Sequence, residues 1–301
     1  MSKLKSFFAV ACCAFAIVFM IVAGEVEGQE SIDLSYTPSS VPIEVNANTP
    51  ADFVAPIVFQ AAGPNIASIQ SAVTEFRNEL GNLNGNTLEE VVAGGRREIN
   101  WDGAPPTDVT TPPVNPFNTF LNTRGAQFIT PGIGFSQGPA SGGPQGGFAT
   151  LFDNPTYATE FKAFSNLRLF SPVGSNITDT FFFVAGSNGS VRATVNGFGA
   201  IFSDVDQPDG DGPGTKRGNR GSSTLIQFFG VDGRVLFSSF VPASPRNAGF
   251  SFLGIKFNDA RIASVRITAG DVAPGPNDDP SNDVVLMDDF IYGEPHKLPQ
   301  D

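Results

Sequence analysis

Residues 198–206 read FGAIFSDVD, and residues 284–295 read VVLMDDFIYGEP. Both stretches are rich in the aromatic and β-branched residues that strands favour, and both are long enough to form a buried strand. Each carries a pair of aspartates: Asp204 with Asp206, and Asp288 with Asp289. Neighbouring carboxylates repel each other, and their burial is costly unless a cation or hydrogen bonds compensate the charge. The two stretches therefore predict β-strands that carry a site for a hard cation, and calcium is the best candidate.

The chain from about residue 166 onward shows a regular β pattern. Short apolar runs recur every 10 to 15 residues, separated by Asn-Gly, Asp-Gly or Pro turns, and the stretch 231–234 (VDGR) is a strong hairpin signal. This spacing predicts a jelly-roll-like antiparallel β-sandwich, mainly β, rather than a parallel α/β sheet. The predicted strands are Arg168–Phe170, Asp179–Val184, Ala193–Ser203, Thr224–Phe229, Val235–Val241, Gly249–Phe257, Ile262–Thr268 and Val284–Tyr292.

One amphipathic helix is predicted before the β region, over residues 66–80. Its apolar residues recur at helical spacing, and GNLNGN ends the pattern. We interpret it as a helix packed on a sheet rather than as a membrane or partner helix. The apolar residues that define the pattern are Ile66, Ile69, Val73, Phe76 and Leu80.

The rest of the chain before residue 166 is rich in Pro, Gly, Asn and Ser. Residues 29–64 are interpreted as an extended lead-in or a first edge strand. Strands are predicted at Arg97–Trp101 and Ala126–Thr130, and a short helix at 157–164. The run SQGPASGGPQGG (136–147) is predicted to be a long loop by its composition.

The N-terminus has the pattern of a secretory signal. Lys3 and Lys5 precede an apolar stretch, Phe7–Ala23, and small residues follow, so cleavage near residue 28 is predicted. An uncleaved membrane anchor is the alternative, because the stretch is about as long as the shortest membrane spans. Four segments result: a signal peptide (1–28), the lead-in (29–64), a single β-sandwich domain (65–295) and a tail (296–301). We expect a secreted, periplasmic or cell-surface protein without stable membrane insertion after cleavage.

Composition excludes several functions. The net charge is −12, from 18 basic and 30 acidic residues, and such a field repels a phosphate backbone, so nucleic acid is not an expected partner. Both cysteines, Cys12 and Cys13, lie in the predicted signal, and His296 is the lone histidine. A Ser-His-Asp or Cys-His arrangement and a thiolate metal site are therefore not expected. Chemistry by two carboxylates stays open, but no spacing selects an acid and a base, so no catalytic residue is predicted.

The predicted metal site brings the two aspartate pairs together around one structural Ca²⁺, with Asp102 as a further contributor. The alternative is that these acids are solvated turn residues. Trp101 and Tyr157 are the candidates for a ligand-binding ring platform, and the alternative for Trp101 is a place in the core.

Four motifs carry a resemblance to known proteins. They are GRREINWDG (95–103), FGAIFSDVD (198–206), SFLGIKF (251–257) and MDDFIYGEP (287–295). Over roughly residues 66–295 the chain resembles a group of exported bacterial proteins of unknown function. The last strand is also distantly similar to that of jelly-roll carbohydrate-binding modules with a galactose-binding-like fold. That resemblance implies that Asp288 or Asp289 occupies a structural-calcium position.

These observations predict an exported, calcium-stabilised, non-catalytic binding module for carbohydrate or another extracellular polymer. Two alternatives stay open: a structural or adhesive protein of the cell surface or matrix, and an enzyme that acts on glycans through carboxylates. The sugar ligand rests on an analogy of fold.

Overall fold

The computed structural model describes residues 55–102, 112–143, 145–207, 222–244, 246–276 and 282–298. All of them belong to one compact unit. The predicted signal peptide, most of the predicted lead-in and the end of the tail lie outside the described residues. No described helix has the length and apolar character needed to cross a membrane.

The described elements are mostly strands. In chain order they are β1 (Ile57–Gly63), α1 (Ile66–Leu80), β2 (Arg96–Ile99), α2 (Leu121–Arg124), β3 (Ala126–Ile129), β4 (Gly134–Gly138), α3 (Gly147–Leu151), α4 (Tyr157–Glu160), β5 (Leu169–Val173), β6 (Ile177–Phe182), β7 (Ala193–Thr194), β8 (Gly197–Ser203), β9 (Leu225–Phe229), β10 (Val235–Phe240), β11 (Phe250–Lys256), β12 (Ser264–Thr268), β13 (Leu286–Gly293) and β14 (His296–Lys297).

Two antiparallel sheets form the sandwich. The seven-stranded sheet has the order β1-β11-β8-β13-β5-β4, and β2 pairs with the second half of β13, beyond its contact with β5. The five-stranded sheet has the order β10-β9-β12-β6-β3, and β7 and β14 form a short separate pair. This confirms the predicted jelly-roll-like antiparallel β-sandwich with long Pro/Gly-containing connections. Pairing also extends beyond residues 65–295, because β1 and β14 both join partners.

Phenylalanine side chains fill the space between the two sheets. Phe198 of β8 contacts Phe182 of β6 and Phe228 of β9, with ring centroids 6.2 and 6.5 Å apart. Phe290 of β13 lies 5.3 Å from Phe198 in the same cluster. Buried Phe has no polar group to satisfy, which makes it suited to a core of this size.

Helix α1 covers the outer face of the seven-stranded sheet. Asn65 caps its first turn by accepting a hydrogen bond from the Ser68 amide at 3.2 Å. Its apolar stripe, with Val73 and Phe76 buried, packs on Ile201 and Phe252 of the sheet. The prediction of an amphipathic helix at 66–80 that packs on a sheet is confirmed. Because this sheet is covered on both faces, every residue of β8 and β13 is buried.

The five-stranded sheet differs, because four of its strands bury only alternate residues and the edge strand β10 buries none. In β6 the burial alternates strictly from Ile177 to Phe182, and β9 and β12 follow the same pattern. One face of this sheet therefore packs on the core, and the other keeps some exposure to solvent.

The structure corrects the prediction for the Gly-rich run 136–147. Its first residues belong to β4, which pairs with β5 from Gly134↔Val173 to Gly138↔Leu169, and Gly147 begins α3. Composition was misleading here because an edge strand needs only backbone hydrogen bonds, which glycine supplies as well as any residue. The predicted strand Ala193–Ser203 is also divided, into β7 and β8, and the predicted helix at 157–164 ends at Glu160.

Candidate functional site

Asp288 and Asp289 form a β-bulge in β13. Met287 pairs with Phe202 and Phe290 pairs with Ala200, so both aspartates lie opposite the single residue Ile201. A bulge inserts one extra residue into the ladder and redirects the side chains beside it. Both aspartates are buried.

Hydrogen bonds and an arginine compensate the carboxylates of the bulge. Asp288 accepts hydrogen bonds from the Phe164 amide at 2.6 Å and the Ser165 hydroxyl at 3.0 Å. Asp289 Oδ2 lies 3.2 Å from Nη2 of Arg77, which extends from α1 and also pairs with Glu98 at 2.8 Å. We call Arg77, Glu98, Asp288 and Asp289 the bulge cluster. It joins α1, β2 and β13, which is a structural role.

Burial dominates the electrostatics of the bulge cluster. It raises the pKa of Asp288 well above the ordinary value, and the neighbouring Asp289 charge raises it further. Burial also raises the pKa of Asp289, although its hydrogen bond with Asp288 and the charge of Arg77 lower it. A proton held by the pair is therefore favoured over two full charges.

A second group of acids lies where β8 ends and before β13 begins. We call Asp204, Asp206 and Asp283 the acidic end. The amide of Asp206 donates to Asp283 Oδ2 at 3.1 Å, and the Ser223 hydroxyl donates to the same oxygen. Sequence reasoning missed Asp283, which stands outside the two aspartate-bearing stretches.

Burial and like charge perturb the acidic end strongly. Desolvation raises the pKa of Asp204 to about 9, and the charges of Asp206, Asp283 and Glu160 act in the same direction. Burial raises the pKa of Asp283 well above its usual range, although the Ser223 hydroxyl opposes this. The backbone of Asp204 is left-handed, with φ of 67°, a conformation that Asp and Asn accept more readily than most residues.

The structure does not bring the two aspartate pairs into one site. Asp204 follows Ser203, whereas the bulge lies opposite Ile201, and three residues of strand correspond to about 10 Å. Asp204 has Asp206, Asp283 and Glu160 as its charged neighbours, and Asp288 has different ones. Within the described ranges, no group of three or more His, Cys, Asp or Glu is arranged to hold a metal ion. Calcium binding stays a prediction.

Asp102 also has a different environment from the one predicted. Its Oδ1 accepts hydrogen bonds from the amides of Leu167 and Arg168 at 3.1 and 3.0 Å. These contacts hold the chain just before β5, near the loop that contacts Asp288. Asp102 thus connects two backbone segments, and its role as a cation ligand stays a prediction.

Trp101 and Tyr157 are core residues. Both have no exposed surface, and the Trp101 indole stacks on Phe170 with ring centroids 3.7 Å apart and planes 2° from parallel. Its Nε1 donates to the carbonyl of Asp288 at 2.8 Å. The Tyr157 ring packs on Phe161, with centroids 4.9 Å apart. A sugar platform needs an exposed ring face, so the prediction of a ligand-binding role for either residue is wrong.

Two half-buried aromatic rings lie elsewhere, on the outer face of the five-stranded sheet. Phe181 of β6 and Phe229 of β9 both pair with Ser264 of β12, so the three residues form one row across the sheet. The next row places Arg266 between Asp179 and Gln227. Arg266 binds both oxygens of Asp179, at 2.7 and 2.8 Å. These six residues define what we call the open face.

A small cavity adjoins the open face. It has a volume of about 200 Å³, and Phe181 and Ser264 line it together with Arg192, Val231 and Leu298. Arg192 is exposed and Phe181 is half-buried. The alternation in Ile177, Asp179 and Phe181 was the sequence signal for this face, because it separates outward residues from the core residues between them.

The fold and these sites define the chain as an antiparallel β-sandwich with one covered and one open sheet. No protein-family model matches the chain, and neither does any curated protein sequence.

Proposed function

We propose that this chain is an exported, non-catalytic binding module for a carbohydrate polymer, and that the open face holds the ligand. The observation that carries the proposal is the row Phe181–Ser264–Phe229 beside the Asp179–Arg266 pair. Flat apolar rings stack on the faces of sugar rings, and side chains with fixed donors and acceptors hydrogen-bond to hydroxyl groups.

The dimensions of the row suit a polymer. Neighbouring strands lie about 4.8 Å apart, so Phe181 and Phe229, two strands apart, are separated by roughly 10 Å. A chain of several sugar units spans that distance and reaches the cavity beside Arg192. The Arg266 guanidinium is already positioned by Asp179, so less conformational entropy is lost when a hydroxyl binds to it.

The charge of the protein favours a neutral glycan. A net charge of −12 repels a polyanion, and Asp179 neutralises Arg266 on the open face itself. Neutral polysaccharides are therefore the ligand class to test first.

A glycan array with the full chain tests the proposal. We expect selective binding of a neutral polysaccharide that weakens about tenfold or more in Phe181→Ala, because the stacked ring is lost. Arg192→Ala should weaken binding by a smaller factor. Val92→Ala is the matched control, since this side chain is 83% exposed and lies outside both the open face and the cavity lining. Binding that is unchanged in Phe181→Ala, or no binding to any neutral glycan, would refute the proposal.

A structural or adhesive role is the second candidate, and strand β10 favours it. This strand (VLFSSF) forms one edge of the five-stranded sheet, and it contains no charged residue that would discourage pairing with another strand. Val235 at its start is 52% exposed. Two copies that pair through β10 would extend the sheet. Light scattering would detect that dimer, and Ser238→Lys should abolish it while leaving glycan binding intact.

A further inference from the structure

We infer that the acidic end is a binding site for one hard divalent cation, Ca²⁺, built on Asp204 and Asp283 and separate from the bulge cluster. The inference does not depend on glycan binding.

The side chain of Asp204 is the main reason to expect a cation here. It is 8% exposed, and its Oδ1 is buried without a hydrogen-bond partner. A buried polar atom that makes no hydrogen bond is unfavourable, because the free energy lost on its removal from water is not recovered by a contact in the protein. A carboxylate oxygen in this position needs a proton or a cation. Its neighbours determine which of the two is the better partner.

Those neighbours are oxygen-rich and acidic. Asp206, Asp283 and Glu160 all act on Asp204 with negative charge, and the Ala248 amide is the one donor that opposes them by lowering the pKa of Asp204. The bulge cluster also has a buried oxygen without a partner, Asp289 Oδ1, but there Arg77 supplies a positive charge 3.2 Å from the other oxygen of the same carboxylate. A single proton neutralises one of several charges, whereas a divalent cation neutralises two and attracts the rest.

The chemistry of the donors selects the cation. Carboxylates and the Ser223 hydroxyl are hard oxygen donors, and His and Cys are missing from this group. Ca²⁺ takes six to eight oxygens and accepts carbonyls and water among them, so two or three carboxylates suffice. Mg²⁺ demands a more regular geometry. Because the described acids do not already form a set of three ligands, we expect a small movement of the Asp204 side chain on binding.

Calcium titration of the full chain, first stripped with EDTA, tests the inference. We expect calorimetry to show one Ca²⁺ per chain, with weaker Mg²⁺ binding. At a Ca²⁺ concentration about 100 times Kd, the Tm should rise by roughly 5–10 °C. Asp204→Asn should remove both signals, and Asp283→Asn should weaken both.

Asp204→Asn is expected to fold. Asn accepts the left-handed backbone of residue 204 and has nearly the same shape. It also removes a carboxyl group that must take up a proton to be buried without metal, so in EDTA the variant should melt at or above the wild-type temperature. A charge-matched control is Asp232→Asn, in the exposed turn after β9, which should keep the full calcium response.

Three outcomes would overturn the inference: a wild-type protein that takes up no Ca²⁺ at millimolar concentration, an Asp204→Asn variant that keeps its calcium response, and an Asp289→Asn variant that loses it. The two proposals fail separately. Ser223 precedes β9 and Gly230 of the cavity follows it, roughly 20 Å apart, so Phe181→Ala should leave calcium uptake unchanged.

Discussion

Arg97 and Glu294 form an ion pair with no exposed surface on either side chain. Arg97 Nε and Nη2 each donate to Glu294 at 2.7 Å, and the remaining N–H groups reach the backbone carbonyls of Thr87, Glu89 and Thr123. Two residues of the molecule thus hold the loop after α1 against β2 and the end of β13. Two apolar side chains of similar volume would stabilise the protein about as well as this ion pair. Removal of one partner alone is costly, because the other charge then stays buried and unpaired.

Glu294→Gln should therefore destabilise the protein by about 3–5 kcal/mol, because Arg97 then stays charged and buried without a counterion. Urea unfolding at pH 7 measures the change. Glu79→Gln is the control, since it breaks the more exposed Lys256–Glu79 pair and should cost less than about 1 kcal/mol. Equal losses in the two variants would mean that the burial of Arg97–Glu294 contributes nothing.

Asp204 gives a pH dependence whose sign follows from its environment. Its pKa is about 9 in the folded protein, where Asp206, Asp283 and Glu160 face it, and about 3.9 in the unfolded chain. The folded state therefore binds the extra proton between these values. Stability contributed by that proton is full below about pH 4 and is lost as the pH rises toward about 9.

We expect the unfolding free energy in EDTA to fall as the pH rises from 5 to 8, by at most about 1.4 kcal/mol per pH unit for this group. Asp204→Asn should flatten the profile, and urea titrations at each pH measure it. Burial also raises the pKa values of Asp283 and Asp288, so both lower the unfolding free energy as the pH rises. The variant therefore reduces the pH dependence without abolishing it. Parallel curves of unfolding free energy against pH in the wild type and the variant would show that Asp204 does not cause this pH dependence.

Helix α1 lies close to its sheet because two glycines leave room for one ring. Gly199 of β8 pairs with Gly254 of β11, and the Phe76 ring sits over both. A Cβ on Gly199 would lie 2.9 Å from Cε1 of Phe76 and 2.8 Å from the backbone of Gly254. The glycines of FGAIF and SFLGIKF thus belong to the packing of this element rather than to a turn.

Gly199→Ala should cost about 1–3 kcal/mol, because neither the ring nor the facing strand can withdraw without repacking. Thermal or urea unfolding measures the loss, and circular dichroism checks that α1 is retained. Gly275→Ala is the matched control: its nearest neighbour atom is 3.9 Å from the new Cβ, so little change is expected. An equal loss at both glycines would show that backbone entropy, and not the Phe76 contact, sets the cost.

The sequence predicts those helices and strands of the fold that a local periodicity of apolar residues encodes. Helix 66–80 follows from its apolar spacing, and the strands of the sandwich from their alternation and turns. Contacts between distant residues are not encoded in this way. Arg97 could not be matched to Glu294, nor Asp204 to Asp283, from spacing alone. The burial of Trp101 and Tyr157 likewise depends on which strands meet, since an aromatic residue suits a core and a binding face equally well.

The net charge of −12 belongs to no single site and makes its own prediction. Excess negative charge destabilises a compact state by self-repulsion, and salt screens it because the Debye length falls from about 30 Å at 0.01 M to about 3 Å at 1 M. In EDTA, raising NaCl from 0.01 to 0.5 M should raise the Tm by about 2–5 °C. Differential scanning calorimetry measures the shift, and an equal concentration of sucrose separates screening from general solvent exclusion. A Tm that falls with salt would mean that ion pairs such as Arg266–Asp179 outweigh the repulsion.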